Sequence, residues 1–431
     1  MEHSGNKGGE EEEAAASPAT GADKPLHAPL SMRAFVLLLS GLMCINALTT
    51  DIMLPAFPDM SADLGNIPVT ELQAIIPIYM FGFGLSQLFV GFLADRYGRR
   101  PVLVGGLLIY VLAGIATSFT SSIDGMLLAR FVQGIGSAAP RVIAQAAVRD
   151  CFEGRRMARV MSLVLTIFLI MPVIAPSIGQ LILLASSWRW VLGSLPIFGL
   201  GLLLVSVLFL PETLRPENRR TIQWSNIRYA LKSIFGNRQT VGYTIAAGVF
   251  FGALFGYVGS SQPILTDIFD MGDWFAIVFA GIAIFMSLSS FINASLVERF
   301  GMRMLSHSAT VGSAIASVAM LVLAEADLLS FWVYMPLQGS IMLMVGLVFA
   351  NFNALAMEPQ GHVAGVAASF TGAATVVIGA AIGYVVAGHY DGTVTPLALG
   401  FAVCSIGTLV VVFITERGKL FVSHRRQSSR R

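Results

Sequence analysis

Apolar residues in this chain come in long blocks rather than in alternation with polar ones. Each block holds about 20 residues, which is enough for a helix rising ~1.5 Å per residue to cross a ~30 Å hydrocarbon core. Lipid offers no partner to backbone N–H and C=O groups, so such blocks close their hydrogen bonds internally as helices. The pattern predicts twelve spans, at 34–56, 72–94, 101–119, 124–148, 159–184, 189–210, 241–265, 274–297, 303–323, 330–355, 363–387 and 395–415. A polar segment from Pro211 to Thr240 parts the sixth span from the seventh.

Positive charge orients these spans. With the N-terminus in the cytoplasm, all but three of the 27 Lys and Arg fall in the tails or in the loops after spans two, four, six and eight. This is the bias that membrane insertion imposes. The three outside the pattern are Arg130, Arg141 and Arg189, and only Arg189 lies at an external boundary. Composition agrees: 55% of residues are hydrophobic and 12% charged, against about 25% charged in soluble domains. The 43 glycines suit close helix packing in lipid.

The chain also repeats itself. Gly91-Phe-Leu-Ala-Asp95-Arg96-Tyr-Gly98-Arg99-Arg100 follows span two, and Ala294-Ser-Leu-Val-Glu298-Arg299-Phe-Gly301-Met-Arg303 follows span eight, 203 residues later. The expected organisation is a disordered cytoplasmic tail (1–32), a six-helix half (33–210), a cytoplasmic central loop (211–240), a second six-helix half (241–416) and a basic tail (417–431). Two such halves around a midplane site are a transporter plan.

Several chemistries find no support in the residues. The six histidines show no metal-ligand spacing. Cys44 and Cys404 fall in spans and Cys151 in a cytoplasmic loop, so no disulfide framework is implied. There is no phosphate-binding G-x-x-x-x-G-K-[ST] loop, which argues against ATP drive within this chain. No nucleophile triad or large soluble domain marks a membrane enzyme or sensor, and nothing points to nucleic acid or to a cofactor.

Inside the spans, charge is scarce and therefore informative. Asp51 is the only acid placed within a span away from its ends. A charge in hydrocarbon costs several kcal/mol, so an intramembrane acid is a candidate for function, here proton exchange. Arg130 falls roughly 9 Å below the end of span four at ~1.5 Å per residue. Asp51 sits at a similar depth, and the two are expected to face one another. Candidate pocket residues are Asn46, Tyr79, Gln87, Gln133, Met171, Phe251, Tyr257 and Asn351, which offer aromatic, thioether and amide groups to flat lipophilic compounds.

The segment from Gly91 to Pro101 resembles the signature loop between helices two and three of the major facilitator superfamily. Gly91, Asp95, Arg96, Gly98, Arg99 and Arg100 carry that match, and Glu298, Arg299 and Gly301 carry its second copy. In such a loop Asp95 is expected to cap a helix N-terminus or to pair with a cytoplasmic arginine, Arg149 being the candidate, and such a pair can latch the halves in one state and release them in the other. Arg130-Phe-Val-Gln133-Gly134-Ile-Gly136 resembles a span-four motif of the same superfamily. Pro176 and Gly179 resemble part of its antiporter motif, although Ala175 and Gln180 depart from it. Thr50-Asp51-Ile-Met-Leu-Pro55-Ala-Phe-Pro58 is similar to a segment of the Bcr/CflA drug-resistance branch. Trp188-Arg189-Trp190 and Pro211-Glu212-Thr213 bracket span six as in that branch.

The resemblance implies an all-α fold of twelve transmembrane helices in two halves. It implies a monomeric proton-coupled antiporter of the inner or plasma membrane that exports small lipophilic drugs, with protons and a small molecule as partners. The alternative is a proton-coupled transporter of a metabolite such as a sugar or organic acid. Some exporters carry a further acid two turns earlier in span one, where this chain has Met43. One titrating group implies one proton per cycle.

Overall fold

The computed structural model describes residues 30–219 and 224–421. The tail read as disordered lies outside this range up to residue 29, as do Arg220 and the basic tail beyond residue 421.

Among the described residues, ten continuous helical stretches are long and apolar enough to cross a membrane. One of them, Phe331–Gly388, is two helices joined by the tight turn Glu358–Val363. A further helix, Ile123–Cys151, is long enough but holds Arg130 and Arg141, which lower its hydropathy. The crossing helices are therefore α1 (Met32–Asp51), α2 (Ile75–Tyr97), α3 (Arg99–Phe119), α4 (Ile123–Cys151), α5 (Gly154–Ala185) and α6 (Trp188–Phe209) in the first half. The second half has α7 (Arg238–Pro263), α8 (Phe275–Phe300), α9 (Met302–Glu325), α10 (Phe331–Met357), α11 (Ala364–Gly388) and α12 (Thr395–Thr415).

Polar caps mark several starts. The Ser31, Ser122 and Asn237 side chains accept from backbone N–H groups three residues on, opening α1, α4 and α7. The repeated motif forms the same joint twice. Gly98 (φ +100°) separates α2 from α3, and Gly301 (φ +83°) separates α8 from α9. A side chain at Gly98 would be strained and would also collide with the Glu212 carboxylate.

The halves pack alike. In the first, α2 and α3 lie on α4, α3 on α6, and α1 on α5 and α4. In the second, α8 and α9 lie on α10, α9 on α12, and α7 on α11 and α10. The halves meet along α2 with α11 and along α5 with α8. Loops 2–3, 4–5 and 8–9 share one end of the bundle, called here the basic end.

The central segment is not simply a loop. It carries a helix, Trp224–Gly236, whose Ala230 and Ile234 are buried while Arg228 and Lys232 are exposed. Apolar residues at 227, 230, 231 and 234 recur at helical spacing, a period that its overall polarity hides. The helix docks near the start of α11, where Ser233 Oγ donates to Gln360 Oε1 (3.1 Å) and Phe235 meets Phe370 (ring centroids 5.0 Å).

Candidate functional site

The regular helix of α1 stops at Asp51 itself. Pro55 and Pro58 lack the N–H groups that would extend it, and the chain continues as a tight turn, Leu54–Ala56, and a short helix, Phe57–Asp63. Asp51 thus lies at a break in the span rather than inside a continuous helix, yet it is only 5% exposed. Beyond it, Leu54, Phe57, Ile264 and Leu265 are fully buried. The Thr50 hydroxyl donates back along α1 to the carbonyls of Asn46 (3.3 Å) and Ala47 (3.0 Å), and α7 packs against the Leu54–Ala56 turn beyond the break. Among the described residues no cation pairs with Asp51. Gly179 lets α5 touch this break, since a methyl there would collide with the Ile52 carbonyl oxygen.

Arg130 does not face Asp51. Its guanidinium donates to the Thr49 carbonyl (3.5 Å), to Gln133 Oε1 (3.2 Å) and to Met53 Sδ (3.0 Å). Thr49 and Asp51 are two residues apart, so their side chains point about 200° apart around α1. Depth matched, but rotation about the helix did not, and depth alone was legible. Arg130 is fully buried and belongs to the first half, where Thr49 Oγ1 also meets the Tyr110 hydroxyl (2.7 Å). Tyr110 was not singled out from the sequence, because a tyrosine in an apolar run reads as packing. Its one signal is that a buried phenol needs a partner. Arg141 is half-buried between the rings of Phe83 and Phe168, 5.6 and 5.7 Å from their centroids.

The candidate pocket residues divide between the two halves. Tyr79 packs with Met80, Ala380 and Phe255 where α2, α7 and α11 meet. Asn46 and Gln133 are buried in the first half, each with an amide nitrogen that has no partner among the described residues. Gln87 lies against Gly372 of α11. Phe251 packs at a tilt against Phe349 (ring centroids 4.3 Å) and edge-on against Phe255 (5.7 Å) in the second half. Asn351 donates to Asn293 Oδ1 (2.6 Å), which makes it an interhelical tie. Met171 is half-buried on α5.

At the basic end the signature loop is a clasp. Arg99 donates from Nη1 to Asp95 (2.6 Å) and from Nε to Asp150 (3.0 Å). Glu212 accepts the backbone N–H of Arg99 (2.8 Å) and of Arg100 (3.3 Å), placing a carboxylate at the start of α3 where the helix dipole favours it. The partner of Asp95 is therefore Arg99, four residues on. Arg149 is exposed and joins no carboxylate among the described residues. Arg96 is exposed and stacks over Tyr97. Gly91 faces Ser369 of α11.

The second half builds the same clasp from other residues. Arg303 donates from Nε to Glu416 (2.8 Å) and approaches Glu358 from Nη2 (3.5 Å). Tyr243 donates to Glu416 (2.7 Å) and Gln239 to Glu358 (2.7 Å). Glu298 and Arg299, the literal repeat of Asp95 and Arg96, are exposed. In each half an acid near the end of the fourth helix pairs with an arginine at the head of the third, and an acid just after the sixth meets the same residue, at the backbone N–H of Arg99 in the first half and at the Arg303 guanidinium in the second. The sequence carried a signal for this, since Glu212 and Glu416 both follow a sixth span. Between the halves at this end lies a cavity of about 570 Å³, with Asp95, Arg99 and Arg149 on one side and His362 and Ser369 on the other.

Two repeated six-helix halves, meeting along two helix pairs around a buried acid and a buried arginine, define a membrane transporter. The chain belongs to the Major Facilitator Superfamily, whose family model matches residues 39–384. It is 28% identical to a bicyclomycin resistance protein homolog of Haemophilus influenzae over 388 residues, which is 89% of this chain and 96% of that one. It is 31% identical to a chloramphenicol resistance protein of Pseudomonas aeruginosa over 397 residues, 88% of this chain and 84% of that one. In fold it is similar to the xylose transporter XylE from E. coli in a partially occluded inward-open conformation. That likeness has a TM-score of 0.70 at 11% identity, covering 90% of this chain and 98% of that one.

Proposed function

We propose that this transporter exports small lipophilic, drug-like compounds from the cytoplasm in exchange for protons, as a monomer in the inner membrane. The basic end and both termini face the cytoplasm. The observation that carries proton coupling is Asp51, a buried carboxyl at a helix break with no cation paired to it among the described residues. A lone carboxylate in hydrocarbon is costly, and binding a proton removes that cost. Protonation at Asp51 is therefore tied to which side of the membrane reaches it. The resistance proteins among the relatives support a drug as cargo. Rocking of the halves about α2–α11 and α5–α8 alternates access, and the two clasps keep each half rigid while it moves.

The test is Asp51→Asn. In everted vesicles the variant inserts normally but loses substrate accumulation driven by a pH gradient. Export at the wild-type rate against a gradient overturns the assignment. With one carboxyl titrating, transport of a neutral compound moves one charge per cycle, so solid-supported membrane recording shows a current. Zero net charge contradicts that stoichiometry.

A further inference from the structure

Past the break in α1 that holds Asp51, where α7 packs against the Leu54–Ala56 turn, lies a group of side chains that neither the clasps nor the Arg130 hydrogen bonds use. Tyr257 is 2% exposed, and Tyr334 and Gln338 are fully buried. Both phenol hydroxyls and both polar atoms of the Gln338 amide lack a hydrogen-bond partner among the described residues. Buried polar groups are nearly always paired, so a cluster of unpaired ones asks what pairs them. Tyr334 and Gln338 are one turn apart on α10 and share a face, while Tyr257 stands on α7, which packs against α10. The ring bodies are held: Tyr257 stacks on Phe279 (5.8 Å) and Tyr334 packs against Phe269 (4.9 Å). The hydroxyls are thus fixed in place and left free, as a preorganised recognition surface requires.

We propose that Tyr257, Tyr334 and Gln338 form a hydrogen-bonding subsite for the hydroxyl or amide groups of an uncharged substrate, next to the proton-exchanging Asp51. The chemistry selects this class. Two phenols and an amide both donate and accept but carry no charge, so they match neutral polar groups better than phosphates or ammonium ions. The second half then reads the cargo's polar end while Asp51 of the first half exchanges the proton. This rests on the export reading above and names the kind of compound that it favours.

The experiment measures equilibrium binding to the full chain in lipid nanodiscs with two probes. Chloramphenicol is neutral and carries hydroxyl and amide groups; tetraphenylphosphonium is a lipophilic cation with no hydrogen-bonding atom. The variants are Tyr257→Phe/Tyr334→Phe, which keeps both rings, and Gln338→Leu. For either, the ratio of chloramphenicol to tetraphenylphosphonium affinity falls roughly tenfold, the loss expected for one or two hydrogen bonds. The melting temperature reports folding independently. Equal weakening of both probes makes these residues a gating contact and overturns the subsite, as does an unchanged ratio. A wild type that does not bind chloramphenicol overturns it too. Gradient-driven uptake by wild-type vesicles judges the export reading separately: its absence with binding intact sinks that reading and leaves the subsite standing.

Discussion

Glu416 anchors the clasp of the second half, and replacing it measures what that clasp is worth. Its carboxylate accepts from Tyr243 (2.7 Å) and from Arg303 Nε (2.8 Å). With Glu416→Ala the Arg303 guanidinium keeps, among the described residues, Glu358 as its one acidic neighbour, at 3.5 Å, and the Arg303 side chain is 8% exposed. Removing one partner of a fully buried ion pair costs about 3–5 kcal/mol. The Glu416 side chain is 13% exposed, and water reaching the rim reduces this to about 2–3 kcal/mol. Glu416→Gln keeps an acceptor but loses the charge, for about 1–2 kcal/mol.

Thermal unfolding of the purified protein, followed by tryptophan fluorescence, should place the alanine variant several degrees below wild type and the glutamine variant between them. The pH dependence adds a second check. Burial pushes the Glu416 carboxyl up, but hydrogen bonds from Arg303 and Tyr243 outweigh it and hold the group below its ordinary value of 4.5. A depressed carboxyl stabilises the fold fully above the unfolded value and loses that contribution as pH falls through the folded one. Wild type therefore loses stability more steeply than Glu416→Gln on acidification below about pH 4.5. An alanine variant that melts within about 1 °C of wild type at neutral pH refutes the clasp.

Two further outcomes follow from the same geometry. Arg303→Ala is expected to destabilise by about 2–3 kcal/mol, and Arg299→Ala by under about 0.5 kcal/mol, because Arg299 is exposed although it is the literal repeat of the motif; comparable melting shifts in the two would contradict this. Gly179→Val drives a branched side chain into the Ile52 carbonyl, costs about 1–3 kcal/mol by overpacking and displaces the α1 break that holds Asp51, so gradient-driven export falls further than stability does; full export at wild-type rate counts against it.

The twelve spans and the two halves were legible because hydropathy is a local property. A run of apolar residues is costly in water and cheap in lipid wherever its neighbours lie. The glycine joints were legible for a similar reason, since Gly98 and Gly301 meet a backbone requirement that only a few residues satisfy. Asp51 stood out because a carboxyl in an apolar run is expensive in any fold. What the local signal lacked was rotation. Placing Asp51 and Arg130 at one depth said nothing about which way each helix turned, and the structure sends them to opposite sides of α1. The same gap put Arg149 in place of Arg99 as the partner of Asp95.

The sequence by itself thus determined that the chain crosses a membrane as twelve helices in two related halves, and where its scarce charges lie along them. Only the tertiary structure decided which charges meet. Asp150 reaches Arg99 across 51 residues and Glu416 reaches Arg303 across 113 because helices that each satisfy their own backbone are free to turn until side chains from several of them pack together. Pairing is a property of that joint packing, and no single stretch of chain contains it.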